Sequence, residues 1–295
     1  MLSYQHAFHA GNHADILKHY VLTFVLQSLR KKEKAFTFFD THSASGLYDL
    51  LDNRSIKTGE AQKGVQTFIQ HCKDNNLSHK FGAAFSAYYD FISTYLEKNL
   101  YPGSPLIEKS FIRPQDKLIL SELHPQEIEN LRKNVSGKNI QILFKDGYDS
   151  LNALTPPASK RGGVLIDPSY EEVSDYEKVS KTICQVHKKW SNGIILLWYP
   201  LLSHREYEIN TMLETIISQA KKINENTNIS NLTLCVNSKD SHKEEELKVI
   251  LSDQDKKNPP RLYGSGMLVL NSPWHLEEEG KIFCDYASTF FQKKN

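Results

Sequence analysis

The chain has 295 residues, 39% of them hydrophobic and 24% charged, enough for one large α/β domain or two smaller ones with a real core. A formal net charge of +1 excludes a uniformly basic nucleic-acid coat, so any nucleic-acid binding must come from a local patch. The longest apolar run, GIILLWYPLL, is too short for a membrane span, no signal-peptide pattern is present, and Cys72, Cys184, Cys235 and Cys284 form no CxxC pair; these features predict a cytoplasmic protein with buried thiols and neither a membrane anchor nor a metal.

Residues 12 to 33 predict a helix, with Asn12 as N-cap and Ile16, Leu17, Tyr20, Val21, Phe24, Val25 and Leu29 recurring at helical spacing. After the charged RKKEK, the run AFTFFDTH predicts a buried strand that leads into the turn SASG. Residues 52 to 99 are polar, helical in period and without strand candidates, which predicts a small inserted helical subdomain within one domain spanning 1–295. Strands and helices then alternate: KLILSELHP and PQEIENLRKNV, IQILFKDGYD and DSLNALTPP, GGVLIDPSYE and DYEKVSKTICQVHKKW, GIILLWYPLL and REYEINTMLETIISQAKKI. LTLCVNS and GMLVLNSPW close the series as an antiparallel finish, and the charged, Pro/Gly-punctuated stretch 238–266 between them predicts a loop. Such alternation implies a mostly parallel sheet covered on both faces. Five β/α steps with an antiparallel end outline an α/β, Rossmann-like class I methyltransferase fold with a seven-stranded sheet.

Open parallel sheets bind ligands at the carboxyl ends of their strands. Here an acid closes each of four successive strands: Asp40, Glu122, Asp146 and Asp167. Each has a task if the ligand is S-adenosylmethionine. Glu122 is placed to accept the ribose hydroxyls, Asp146 to accept from the adenine amine, and the small residues after Asp40 to admit the methionine part. No GxGxxG is present, which argues against a dinucleotide cofactor. The sharpest local signal is Asp167-Pro168-Ser169-Tyr170. Methylating an aromatic amine requires its lone pair to leave conjugation with the ring. The Asp167 carboxylate and the Pro168 carbonyl can accept the two amine hydrogens and favour that geometry, while Tyr170 can stack on a base lifted out of its strand.

The N-terminal cluster Tyr4, His6, His9, His13 and His19 contains an i, i+4 histidine pair but no HExxH pattern. The favoured reading is a polar lid over ligand or RNA rather than a metal site, with Lys18 supplying a phosphate or substrate contact. A fraying terminus with incidental histidines is the plainer alternative.

LSYQHAFHAGNHADILKH, FFDTHSASGLY, YPGSPLI, SELHP, KDGY, LIDPSYE, LWYP and SGMLVLNSPW stand in order over nearly the whole chain and resemble the RlmJ (YhiR-like) family. The resemblance implies a cytoplasmic enzyme that uses S-adenosylmethionine to methylate the N(6) amine of one adenine in 23S rRNA before the ribosome is assembled. It also implies cofactor contacts from His19, His42, Ser104, Glu122, Asp146, Gly147 and Asp167. Asp167, Pro168 and Tyr170 take the catalytic positions, and Tyr4, His6 and Lys18 the substrate side. A monomer is the default expectation.

Three positions depart from the family pattern: Ser169 replaces the second proline of DPPY, SASG replaces a more glycine-rich turn, and NSPW replaces NPPW with a short tail after it. Ser43 and Ser45 are therefore expected to crowd the cofactor, and Ser169 to relax the turn. None of the three removes a polar catalytic atom, so activity is expected. The alternatives are a cofactor- and RNA-binding relative with weakened or silent catalysis, and a DNA adenine methyltransferase.

Overall fold

The computed structural model describes residues 5–238 and 262–294. Tyr4 and most of the stretch read as a loop over 238–266 lie outside the described residues. The strands, in chain order, are β1 (Thr37–Asp40), β2 (Leu47–Asp49), β3 (Leu100–Pro102), β4 (Lys117–Glu122), β5 (Ile140–Phe144), β6 (Gly162–Ile166), β7 (Ile194–Leu201), β8 (Ile229–Cys235) and β9 (Gly264–Leu270). Among the described residues the main sheet has seven strands in the order β5-β4-β1-β6-β7-β9-β8, and β9 alone runs against the rest. The chain leaves β1 toward β4 and β5, then crosses back to β6 and β7, so the switch point of the sheet lies beside β1. β1 and β6 are buried at every residue, as expected of strands covered on both faces, whereas the edge strand β8 alternates.

The helices are α1 (His13–Arg30), α2 (Asn53–Thr58), α3 (Thr67–Asp74), α4 (Gly82–Leu96), α5 (Ser104–Phe111), α6 (Pro125–Asn134), α7 (Gly147–Leu154), α8 (Ser174–Lys189), α9 (Glu206–Ile223) and α10 (Leu276–Gln292). Asn12 caps α1, its side chain accepting from the backbone N–H groups of Ala14 (2.9 Å) and Asp15 (3.1 Å). Such a cap contributes about 0.5–2 kcal/mol. Every residue of α1 from Ala14 to Leu26 is buried, because the helix runs between the sheet, α4 and α10. That continuous burial forces Asp15, Lys18 and His19 into the interior.

The stretch 52–99 holds α2, a π-helical turn (Gln62–Gln66), α3 and α4. It is bracketed by the antiparallel pair β2–β3, with Tyr48 opposite Tyr101. Its helices share one core with the rest of the domain: Phe68 and Phe85 meet Phe283 of α10 with ring centroids 6.1 and 5.3 Å apart, and Phe283 stacks on Tyr20 of α1 at 4.2 Å. Buried aromatics of this size contribute about 1.5–3 kcal/mol each.

Three elements differ from the sequence expectation. The short tail after NSPW is the 17-residue helix α10, whose acidic first turn masks the buried stripe Leu276, Phe283, Ala287, Phe290 and Phe291. β2–β3 and α5 are too short to show a period, yet α5 carries Ser104. No helix among the described residues is long and apolar enough to cross a membrane.

Candidate active site

Asp146, Glu122, Asp40 and Asp167 stand at the carboxyl ends of β5, β4, β1 and β6, which are four consecutive neighbours in the sheet. The sheet order thus gathers into one row the acids that the sequence spreads over 128 positions. They do different work. Asp40 is 1% exposed and ties two loops together, accepting from the His42 backbone N–H at 3.0 Å and from Ser104 Oγ at 2.7 Å. Burial pushes its carboxyl up to about 6, against the pull of those hydrogen bonds. Glu108, one turn along α5 from Ser104, is fully buried; burial first, then the neighbouring Asp40, raises its carboxyl far above the usual range. Sequence reasoning gave Glu108 no part, because nothing in SPLIEKSF shows that the glutamate faces inward.

Glu122 accepts from the backbone N–H of Ala44 (2.7 Å) and of His124 (2.6 Å), which clamps the turn after β1 to the end of β4. Asp146 caps α7, accepting from Tyr148 N at 2.8 Å and Asp149 N at 3.1 Å, while its other oxygen meets Lys178 Nζ at 3.0 Å. Burial opposes that charge, but Lys178 and the backbone N–H groups hold the carboxyl below its ordinary value. Gly147 is required by a close approach: a Cβ there would overlap the carbonyl oxygen of Thr41. The Thr41 hydroxyl donates to the Leu165 carbonyl at 3.1 Å and therefore accepts from His42 Nδ1 at 2.8 Å. This leaves Nε2 of His42 as an acceptor on a neutral ring, and burial lowers its pKa to about 4.

The N-terminal residues converge on Asp167 through a residue not foreseen from sequence. His6 Nε2 lies 3.1 Å from Asp15 Oδ2, which also accepts from Gly11 N at 2.8 Å. Asp15 Oδ1 lies 2.7 Å from Lys18 Nζ, and Lys18 Nζ donates to Asp167 Oδ2 at 2.6 Å. Lys18 is therefore an interior cation between two carboxylates and not a surface contact for phosphate. Burial opposes its charge, yet Asp15 and Asp167 raise its pKa above the usual lysine range. Burial also opposes the charge on Asp15, which Lys18 and His6 nevertheless hold well below normal. The legible signal was the i, i+3 spacing of Asp15 and Lys18 in the first turns of a helix.

His19 is 1% exposed; its Nδ1 meets Tyr101 Oη at 2.7 Å, and its Nε2 is buried with no protein partner among the described residues. His9 pairs with Glu60 at 2.9 Å, and no group of His, Cys, Asp and Glu suited to a metal occurs among the described residues. Tyr170 has φ 52° and is 8% exposed; its hydroxyl donates to the Trp198 carbonyl at 3.0 Å and its ring packs on Tyr176 at 4.8 Å. In this conformation the ring is folded inward and offers no open face to a base. Ser169 beside it is exposed. Ser43 donates to the Asp40 carbonyl at 3.3 Å and Ser45 to the Glu127 carboxylate, so both added hydroxyls are taken by protein acceptors.

This donor set fits S-adenosylmethionine. A cationic sulfur, an ammonium, a ribose diol and an adenine amine call for acceptors, and the row of acids and His42 Nε2 supply them, while the orphaned His19 Nε2 adds a buried polar atom without a protein partner among the described residues. The strand order, the single reversed strand and the acid row define a class I S-adenosylmethionine-dependent methyltransferase.

A family model described as "Ribosomal RNA large subunit methyltransferase D, RlmJ" matches residues 33–294. The chain is 35% identical over 302 residues to the "Ribosomal RNA large subunit methyltransferase J" of Haemophilus influenzae, covering 98% of this chain and 93% of the relative. It is 35% identical over 283 residues to the Escherichia coli protein of the same name, covering 95% and 90%. A crystal structure of a Legionella pneumophila protein superimposes with TM-score 0.75 at 29% identity, covering 96% and 94%. The chain belongs to the RlmJ methyltransferase family.

Proposed function

We propose that this protein transfers a methyl group to the exocyclic N(6) amine of an adenine in 23S rRNA, acting in the cytoplasm as a monomer on RNA not yet covered by ribosomal proteins. The observation that carries the reading is the Asp167-Pro168 turn at the end of β6, held by Lys18 within the acid row. The names of the two relatives support ribosomal RNA as the acceptor.

Bound S-adenosylmethionine supplies an electrophilic methyl on a positively charged sulfur. His19, His42, Ser104, Glu122, Asp146 and Gly147 line the row that would hold it. Lys18 occupies Asp167 Oδ2 and fixes the carboxylate, leaving Oδ1 to accept one amine hydrogen. The Pro168 carbonyl accepts the other. With both hydrogens engaged, the amine lone pair turns out of conjugation toward the methyl. As the N–C bond forms and the methyl–sulfur bond breaks, its electron pair staying on a now neutral thioether, positive charge would pass to the amine nitrogen beside Asp167, which would stabilise it electrostatically and accept the proton the nitrogen sheds. Tyr4 and His6 belong to the substrate side in this reading, and Tyr170 must swing outward to stack on the base.

The test is transfer of labelled methyl to protein-free 23S rRNA, with Asp167→Ala alongside. Label recovered as N(6)-methyladenosine, lost in the variant while RNA binding persists, is the expected result. Turnover retained by the variant, or equal labelling of DNA, would overturn the reading.

A further inference from the structure

The acid row leaves the carboxyl edge of the sheet poorly suited to a polyanion, while the opposite edge carries the reverse charge. Segments 30–34, 113–117, 160–161 and 188–189 hold ten Lys and Arg against two acids, in a chain whose formal net charge is +1. The fold brings them together. β1 pairs with β4 and β6 so that Thr37 stands opposite Lys117 and Gly162. Arg113 donates to the carbonyls of Lys32 (3.2 Å) and Lys34 (3.4 Å), and Arg161 to that of Lys34 (2.6 Å). Both guanidinium groups lie over the Phe36 ring, 5.7 and 5.8 Å from its centroid. Trp190, which follows α8, donates to the Lys160 carbonyl at 3.2 Å and brings the end of α8 alongside.

Helix ends attract basic residues, and Arg30, Lys188 and Lys189 need no further explanation. Lys34, Lys160 and Arg161 precede strands and Lys117 opens one, however, and they compensate no helix dipole. Both acids of the edge face Arg113, Asp116 at 2.8 Å and Glu33 at 3.7 Å. Lys32, Lys34, Lys117 and Lys160 are exposed and have no carboxylate partner among the described residues.

We infer that this amino edge of the sheet is a docking surface for the RNA backbone flanking the methylated nucleotide, roughly 20 Å from Asp167 along the strand direction. The inference rests on the RNA reading above. Its logic is counterion release: each exposed cation that meets a phosphate displaces a bound counterion, so binding here is strongly salt-dependent and indifferent to sequence.

The test is binding of the full chain to protein-free 23S rRNA across a salt series, with S-adenosylmethionine affinity as the folding control. The variant carries Lys32→Ala, Lys34→Ala, Lys117→Ala and Lys160→Ala, and a matched control carries Lys63→Ala, Lys73→Ala, Lys98→Ala and Lys133→Ala. The edge variant should bind RNA roughly tenfold or more weakly, lower the salt slope by about 3 to 4, and keep its cofactor affinity. If the two variants lose equally, or the edge variant binds as the parent does, the docking surface is refuted and the function stands. Failure of the parent itself to bind this RNA would instead refute the RNA reading together with the surface that depends on it.

Discussion

Lys18→Met would separate the interior ion network from everything else the site does. The side chains of Asp15, Lys18 and Asp167 are 1%, 6% and 16% exposed. Removing one partner of such a buried pair costs about 3–5 kcal/mol, because the other charge is left without compensation. Two features place the expected loss near the lower end. Asp15 keeps His6 at 3.1 Å and Gly11 N at 2.8 Å, and Asp167 is open enough to take up water. A loss of about 3 kcal/mol should lower the melting temperature by roughly 6 to 9 °C for a domain of this size. Adding Asp15→Asn removes the stranded charge, so the double variant should recover about half of the loss. Urea unfolding of the parent, the two single variants and the double variant at neutral pH measures this as a coupling free energy. Turnover should fall with Lys18→Met as well, since Asp167 loses the group that aims it. A single-variant loss below 1 kcal/mol, or strict additivity, would show that the network does not carry the stability assigned to it.

Three further outcomes follow from the same geometry. Glu122→Ala should weaken S-adenosylmethionine binding by about 1.5–3 kcal/mol, the range for hydrogen bonds to a charged group, and titration calorimetry showing unchanged affinity would remove Glu122 from the cofactor site. Gly147→Ala forces a methyl group onto the Thr41 carbonyl and should cost about 1–3 kcal/mol of stability together with most of the cofactor affinity; a well-folded variant with parental affinity would contradict the close approach. His19 is neutral in the folded protein down to about pH 3, whereas an unfolded histidine takes its proton near 6.5. The unfolded state thus binds more protons between those values, and stability rises with pH across that window by up to about 1.4 kcal/mol per unit from this residue. His19→Gln should flatten the acid limb of a denaturation series accordingly, and an unchanged slope would place the acid sensitivity elsewhere.

Much of the fold was legible because its signals are local. Asn12 announces the start of α1, alternation of apolar runs with amphipathic stretches announces a parallel sheet, and each strand-closing acid sits at a point the pattern itself marks. Helix α10 escaped because its first turn is acidic and its buried face meets partners such as Tyr20, Phe68 and Phe85, far away in sequence. The site divides in the same way. That Asp40, Glu122, Asp146 and Asp167 share one end of the sheet follows from strand direction, which the sequence specifies.

What each carboxylate does depended on the tertiary structure. Asp40 binds two loops, Asp146 caps a helix, and Asp167 meets a cation that arrives from 149 positions away. Lys18 falls between Val25 and Leu29 on the wheel of α1, but only the packing of α1 between the sheet, α4 and α10 buries it and brings it against Asp167. The amino edge follows the same rule: four short basic segments look like solvated turns and helix ends until β-sheet register and the Trp190–Lys160 hydrogen bond set them side by side. Sequence determines periodicity and chemistry over a few residues. Burial and long-range pairing, which set the strength of every charge interaction, arise only when distant segments pack.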